Sequence, residues 1–135
     1  MDELIEQAIK AREYAYAPYS GFKVGAAVQA RNGRIYSGCN IEDSSYGLSN
    51  CAERTAIFKA VSEGEQQLVA IAVVADTPEP VSPCGACRQV MSEFGIEKII
   101  LTNLNGKRKD FTIEEILPFR FVKNDIVKDG EKINE

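Results

Sequence analysis

Leu68-Val69-Ala70-Ile71-Ala72-Val73-Val74-Ala75 decides the fold. The run is apolar throughout, with no polar alternation, and this suits a central strand covered on both faces. Such a strand needs helices as covers, and the sequence supplies one on each side. Upstream, Asn50 to Gly64 reads as a helix with Ala52, Ala56, Ile57, Ala60 and Val61 as its apolar stripe. Downstream, Asp76 to Val81 is a proline-rich connection. Ser82 as N-cap and Pro83 in the first turn then open a helix to about Phe94, with Gly95 as its terminator.

Toward the N-terminus, Leu4, Ile5, Ala8, Ile9, Ala11 and Ala15 recur at three- and four-residue steps, which predicts an amphipathic helix from about Asp2 to Tyr16. Ala17-Pro18-Tyr19-Ser20-Gly21 breaks it. Phe22 to Val28 and Arg34 to Cys39 read as two strands joined at Asn32-Gly33, a hairpin signal because both residues tolerate positive φ. Asn40 to Asn50 reads as a loop. Toward the C-terminus, Lys98 to Thr102 is a short strand and Asn105-Gly106 a turn. Thr112 with Glu115 has capping-box spacing for a short helix ending at Pro118, and Phe119 to Glu135 shows no period. Residues 1–135 thus read as a single α/β domain with a mixed sheet. Strand–helix–strand units predict parallel pairing, and the leading hairpin predicts one antiparallel edge.

With 135 residues, 44% hydrophobic and 27% charged, the chain has the composition of an ordinary soluble domain. A formal net charge of −4 leaves no electrostatic footprint for a nucleic-acid backbone, so small ligands are expected instead. No apolar run has the length of a membrane span, and the acidic start Met1-Asp2-Glu3 does not read as a signal peptide. Four cysteines without an export signal predict a reducing, cytoplasmic setting, where clustered thiols are metal ligands more often than disulfides. The absence of histidine excludes every triad, general base or zinc site that needs imidazole.

Three of those cysteines stand where the two covering helices begin: Cys51-Ala52-Glu53-Arg54 and Pro83-Cys84-Gly85-Ala86-Cys87. Cys84 and Cys87 are three apart and share one helix face. At helix N-termini the dipole and the free N–H groups favour thiolates. Three thiolates suit Zn²⁺, one per chain, and leave a fourth position open for water, with the Glu53 carboxylate alongside. Their net charge of −1 with zinc is one that Arg54 can offset. Competing readings are that Glu53 only completes a capping box with Asn50, that Cys84 and Cys87 are a redox pair, or that Cys39 closes a four-cysteine structural site and the domain is a binding module.

The cysteine motif resembles the zinc deaminase signature, with cysteine where many members carry histidine. Phe22-Lys23-Val24-Gly25-Ala26-Ala27, Gly38-Cys39-Asn40-Ile41-Glu42, Cys51-Ala52-Glu53-Arg54-Thr55-Ala56 and Cys87-Arg88-Gln89 are similar to blocks of the small homotetrameric cytidine deaminases. The resemblance spans most of residues 1 to 121. It implies a three-layer α/β/α sandwich around a mixed five-stranded sheet, and zinc-dependent deamination of cytidine and 2′-deoxycytidine in pyrimidine salvage. It implies zinc on Cys51, Cys84 and Cys87, with Glu53 as the catalytic acid–base. Substrate contacts would come from Phe22, Asn40, Glu42, Tyr46, Ala52 and Phe121, and Arg54 and Gln89 would stand behind the metal site. Tyr46 and Phe121 would reach a neighbouring subunit's nucleoside within a homotetramer. Asp43, Ser44 and Ser45 depart from common members beside the sugar-binding pair. Another aminated pyrimidine nucleoside, such as a nucleoside antibiotic, is the alternative substrate.

Overall fold

The computed structural model describes residues 2–126; the expected irregular tail beyond 126 lies outside them. Helix α1 is Asp2–Arg12, followed by the antiparallel hairpin β1 Val24–Ala30 and β2 Ile35–Cys39. Then come α2 Ala52–Ser62, β3 Leu68–Ala75, α3 Gly85–Glu93, β4 Lys98–Asn103, β5 Arg108–Thr112 and α4 Ile113–Ile116. The five strands form one sheet in the order β2-β1-β3-β4-β5, so the apolar run at 68–75 is its middle strand, as its sequence demands.

The middle strand sends alternate side chains to opposite faces. Ile71 and Val73 join Ala56, Ile57, Cys87, Met91 and Ile113 under α2, α3 and α4. Ala70, Ala72 and Val74 lie with Leu4 and Ala8 under α1. Three layers result, as expected. The α1 face is lined by small residues, and the helix sits close: a Cβ on Gly25 would lie 2.0 Å from the Ala8 carbonyl oxygen. On the other face a Cβ on Gly38 would lie 2.6 Å from the Ala56 nitrogen, so β2 can approach the first turns of α2 only as glycine. Truncating a fully buried member such as Ile71 to Ala would cost about 2–5 kcal/mol.

Several expectations are corrected. Only β3 and β4 pair in parallel; β1 is antiparallel to both β2 and β3, and β4 is antiparallel to β5. The strand–helix–strand unit through α2 does make β2 and β3 run the same way, but β1 lies between them. Helix α1 stops at Arg12 rather than Tyr16, because the Tyr16 backbone bonds Asn40 and Glu42 instead. Strand β1 runs to Ala30 rather than Val28 and β2 begins at Ile35 rather than Arg34, so residues 31–34 make the turn. Ala30 N–H bonds the Arg34 carbonyl, Gly33 alone takes a positive φ of 93°, and the Asn32 side chain accepts from Arg34 N–H. The capping box of Thr112 and Glu115 is present at α4. Among the described residues no helix is long and apolar enough to cross a membrane.

The register places the site. Val24 pairs with Ala75, Gly25 with Cys39, and Ala75 with Asn103. The start of β1 and the ends of β2, β3 and β4 therefore share one end of the sheet. Open α/β sheets bind ligands beyond the carboxyl ends of their strands.

Candidate active site

Cys51 and Cys84 are the N-caps of α2 and α3, one residue later than Asn50 and two later than Ser82 had been expected to serve. The correction has a chemical reason at α3: the Cys84 sulfur itself accepts the Cys87 N–H, at 3.4 Å, and so takes the role assigned to a serine hydroxyl. The Sγ atoms of Cys51, Cys84 and Cys87 all lie within 4.8 Å of one another, with 3.9 Å between Cys51 and Cys84. Among the described residues this is the group that can hold a metal ion. Cys39, at the end of β2, is not part of it, and its burial pushes its thiol up. The four-cysteine structural site therefore has no fourth sulfur, and the two-cysteine redox pair leaves out a sulfur that is plainly at the site.

The surroundings fit a cation. Arg54 Nη2 donates to Cys51 Sγ at 3.3 Å, so this guanidinium lies against the sulfurs, and its buried Nε finds no acceptor among the described residues. Cys51 is pushed down to about 5, chiefly by its hydrogen bond with Cys87 and then by Arg54, against the effect of burial. Cys87 is pushed up by the same bond to Cys51 and by burial. Three thiolates this close repel one another. A dication between them removes that conflict, and Arg54 takes up the remaining negative charge.

Glu53 sits in the first turn of α2, only 5% exposed. Burial raises its carboxyl to about 7, with the Cys51 charge adding, while its own N–H, Arg54 and Cys87 oppose. The capping-box reading of Glu53 fails, because the N-cap of α2 is Cys51 rather than Asn50, and the Asn50 amide donates instead to Thr55 Oγ1 at 3.2 Å. A buried carboxyl that titrates near neutrality, two residues from a metal ligand, can carry protons at the metal.

Beyond the start of β1, three of the expected substrate residues, Phe22, Asn40 and Glu42, stand in a local hydrogen-bonded arrangement. Asn40 Nδ2 donates to the Phe22 carbonyl at 2.7 Å, and its Oδ1 accepts from Val24 N–H at 2.9 Å, so it splints the chain on which Phe22 stands. Glu42 accepts from the Tyr19 and Ser20 amides, at 3.0 and 3.1 Å, and from the Ser20 hydroxyl. These bonds, the hydroxyl first, hold its carboxyl below the usual carboxylate range. Ser20 Oγ also accepts from Phe22 N–H at 3.0 Å, so Ser20 links Glu42 to Phe22. Nothing in its residue type or spacing signalled that role.

Ala52 is fully buried as the first residue of α2. Tyr46 stands 89% exposed in a single helical turn, Tyr46–Leu48. That turn follows a local fold in which Asp43 Oδ1 accepts from Ser45 N–H, so two of the three departing residues hold each other. Gln89, expected behind the metal site, donates to the Phe121 carbonyl at 2.8 Å and ties the C-terminal segment to α3. Arg120 reinforces the tie through Ser92, at 2.9 Å, and Glu114. Phe121 itself remains 58% exposed.

Residues 1–103 match the cytidine and deoxycytidylate deaminase zinc-binding region. The chain is 56% identical over 128 residues to the cytidine deaminase of Sporosarcina psychrophila, covering 93% of this chain and 94% of that one. It is 57% identical over 125 residues to that of Halalkalibacterium halodurans, covering 91% and 95%. The crystal structure of cytidine deaminase from Burkholderia pseudomallei is similar with a TM-score of 0.85 and 51% identity, covering 89% of this chain and 98% of that one.

Proposed function

Because the chain belongs to the cytidine and deoxycytidylate deaminase zinc-binding family, we propose that it hydrolyses cytidine and 2′-deoxycytidine to the corresponding uridines and ammonia. The observation that carries the reading is the buried Glu53 at the start of α2, beside three converging cysteine sulfurs. Cys51, Cys84 and Cys87 would hold Zn²⁺ and leave a position open. When bound, zinc supplies a Lewis acid that makes a coordinated water acidic enough to act as a nucleophile near neutral pH.

Glu53 does the proton work. It takes a proton from the water that attacks C4 and delivers it to the ring N3. It then carries the second proton of that water to the departing amine, so that cytidine and water become uridine and ammonia. Burial keeps this carboxyl near neutrality, and the positive metal beside it favours the ionised form needed at the start. A shuttle of this kind contributes around 10²–10⁴-fold.

Phe22 would pack against the pyrimidine, with Asn40 and Glu42 on the ribose hydroxyls and Ala52 at the base. Each side chain of the ribose pair keeps capacity for a sugar hydroxyl: Asn40 has a second amide hydrogen, and Glu42 has further lone pairs. Tyr46 and Phe121, two of the aromatic side chains that a single chain leaves exposed, support an oligomer in which they enter a neighbour's pocket. A panel of cytidine, 2′-deoxycytidine, cytosine and deoxycytidylate, followed by the absorbance loss at C4 deamination, tests the substrate class. Turnover of the two nucleosides and not of free cytosine is expected; turnover of cytosine as fast as cytidine would sink the ribose assignment.

A further inference from the structure

Of the three sulfurs, that of Cys84 is the least secured by the fold. Cys87 is fully buried on α3 and Cys51 is half-buried at α2, whereas Cys84 is exposed. The chain that delivers it, Ser82-Pro83, belongs to no strand or helix. Among the described residues no backbone–backbone hydrogen bond ties Ser82 or Pro83 to the rest of the protein.

One side chain does so in its place. Arg88 lies one turn into α3, and its guanidinium spreads over three oxygens. Nε donates to the Pro83 carbonyl at 2.9 Å, Nη2 donates to Ser82 Oγ, and Nη1 donates to the Ile116 carbonyl at 2.6 Å. The Pro83 carbonyl is joined through a single peptide bond to Cys84. The Ile116 carbonyl is one that the end of α4 leaves without an intrahelical partner.

All three acceptors are uncharged oxygens, so the contribution of Arg88 is the fixed planar fork and not ion pairing. Ser82, Arg88 and Ile116 also line a pocket of about 260 Å³, which leaves the segment room to relax if the fork is lost.

We propose that Arg88 is a positioning residue for the metal site: by clamping Ser82-Pro83 to the end of α4, it sets the Cys84 sulfur beside those of Cys51 and Cys87. This rests on the metal reading above. Without the fork, the Cys84 arm of the site is held by the Cys87 N–H bond to its sulfur and by the burial of Pro83, with no clamp across to the end of α4, while the other two sulfurs stay where their helices put them. Groups that fix metal ligands through hydrogen bonds are commonly worth about 10- to 100-fold in metal affinity.

The test is the rate of zinc release to a chromogenic chelator from the wild type, Ser82→Ala, Arg88→Lys and Arg88→Gln. The absorption spectra of the Co²⁺-substituted proteins and the thermal unfolding of the metal-free proteins are recorded alongside. Release from Arg88→Gln should be about 10–100-fold faster than from the wild type. Arg88→Lys should fall between them, because one ammonium cannot span three acceptors, and Ser82→Ala should show the smallest change. The thiolate-to-cobalt band should shift in the Arg88 variants, a change that loss of general stability does not produce. Wild-type release rates and cobalt spectra in the variants, whatever their melting temperatures, would overturn the proposal. If Arg88→Gln does not fold, Arg88→Lys and Ser82→Ala decide by the same criteria. A wild-type protein that retains no zinc would overturn the metal reading and this proposal with it.

Discussion

Replacing Arg54 with Gln removes a cation that bonds the sulfur triad. The wild-type bond runs from Nη2 to Cys51 Sγ at 3.3 Å, and the side chain is half-buried beside an orphaned Nε. A hydrogen bond to a charged group is worth about 1.5–3 kcal/mol net, and partial solvent access argues against the upper end of that range. Taking about 2 kcal/mol, at about 1.4 kcal/mol per factor of ten, gives a loss of roughly 30-fold in zinc affinity. The fold should barely respond, since the hydrogen bond of Arg54 runs to Cys51, the N-cap of its own helix. The assay is competition for zinc against an indicator of known affinity at neutral pH, with circular dichroism as the control for folding. The refuting result is a folded Arg54→Gln protein whose zinc affinity lies within twofold of wild type. The charge would then be neutralised by something other than this guanidinium, and the offset argument for three thiolates would fail.

Three further predictions concern the substrate side and the spare cysteine. Glu42 is held ionised by Ser20, so its folded pKa lies below the unfolded value of about 4.3. With a depressed pKa, its bonds to the Tyr19–Ser20 loop are present above that value and lost as pH falls through the folded one. Ser20→Ala should therefore move the acid rise in KM to higher pH, and identical KM profiles for the two proteins would contradict this. Cys39→Ala should leave bound zinc per chain unchanged, because Cys39 is not among the converging sulfurs; metal analysis that finds a loss would restore the four-cysteine reading. Phe121→Ala should raise KM for cytidine several-fold if the tail enters a neighbour's pocket. Unchanged kinetics in an oligomer of unchanged size, measured by light scattering, would remove that contact from the account.

The middle of the sheet and the three sulfurs were legible in the sequence because their signals are local. An eight-residue apolar run has few alternatives to a doubly covered strand, and cysteines at helix starts converge once those helices flank it. What escaped was decided by distant partners. Strand β5, Arg108-Lys109-Asp110-Phe111-Thr112, is mostly charged and exposed, as befits an edge, and only its pairing with β4 makes it a strand. The placement of β1 between β2 and β3 is a matter of sheet order, which strand–helix–strand succession does not encode. The residues Ala15 and Tyr16 fit the period of α1, but Asn40 and Glu42 claim the Tyr16 backbone. The same holds at the site. Phe22, Asn40 and Glu42 were recognisable by resemblance, while Ser20 and Arg88, which hold such groups in place, act through oxygens 22 and up to 28 residues away in the chain.

The central claim is that Glu53 moves protons at a site built by three cysteine sulfurs. Its most direct test is ammonia release from cytidine by the wild type and by Glu53→Gln, with bound zinc quantified in both. The account predicts about one zinc per chain in each protein, with turnover in the wild type and nearly none in the variant, because the substitution removes the base and leaves every sulfur in place. Comparable turnover by a zinc-loaded Glu53→Gln protein would contradict it and put the proton transfers on another group.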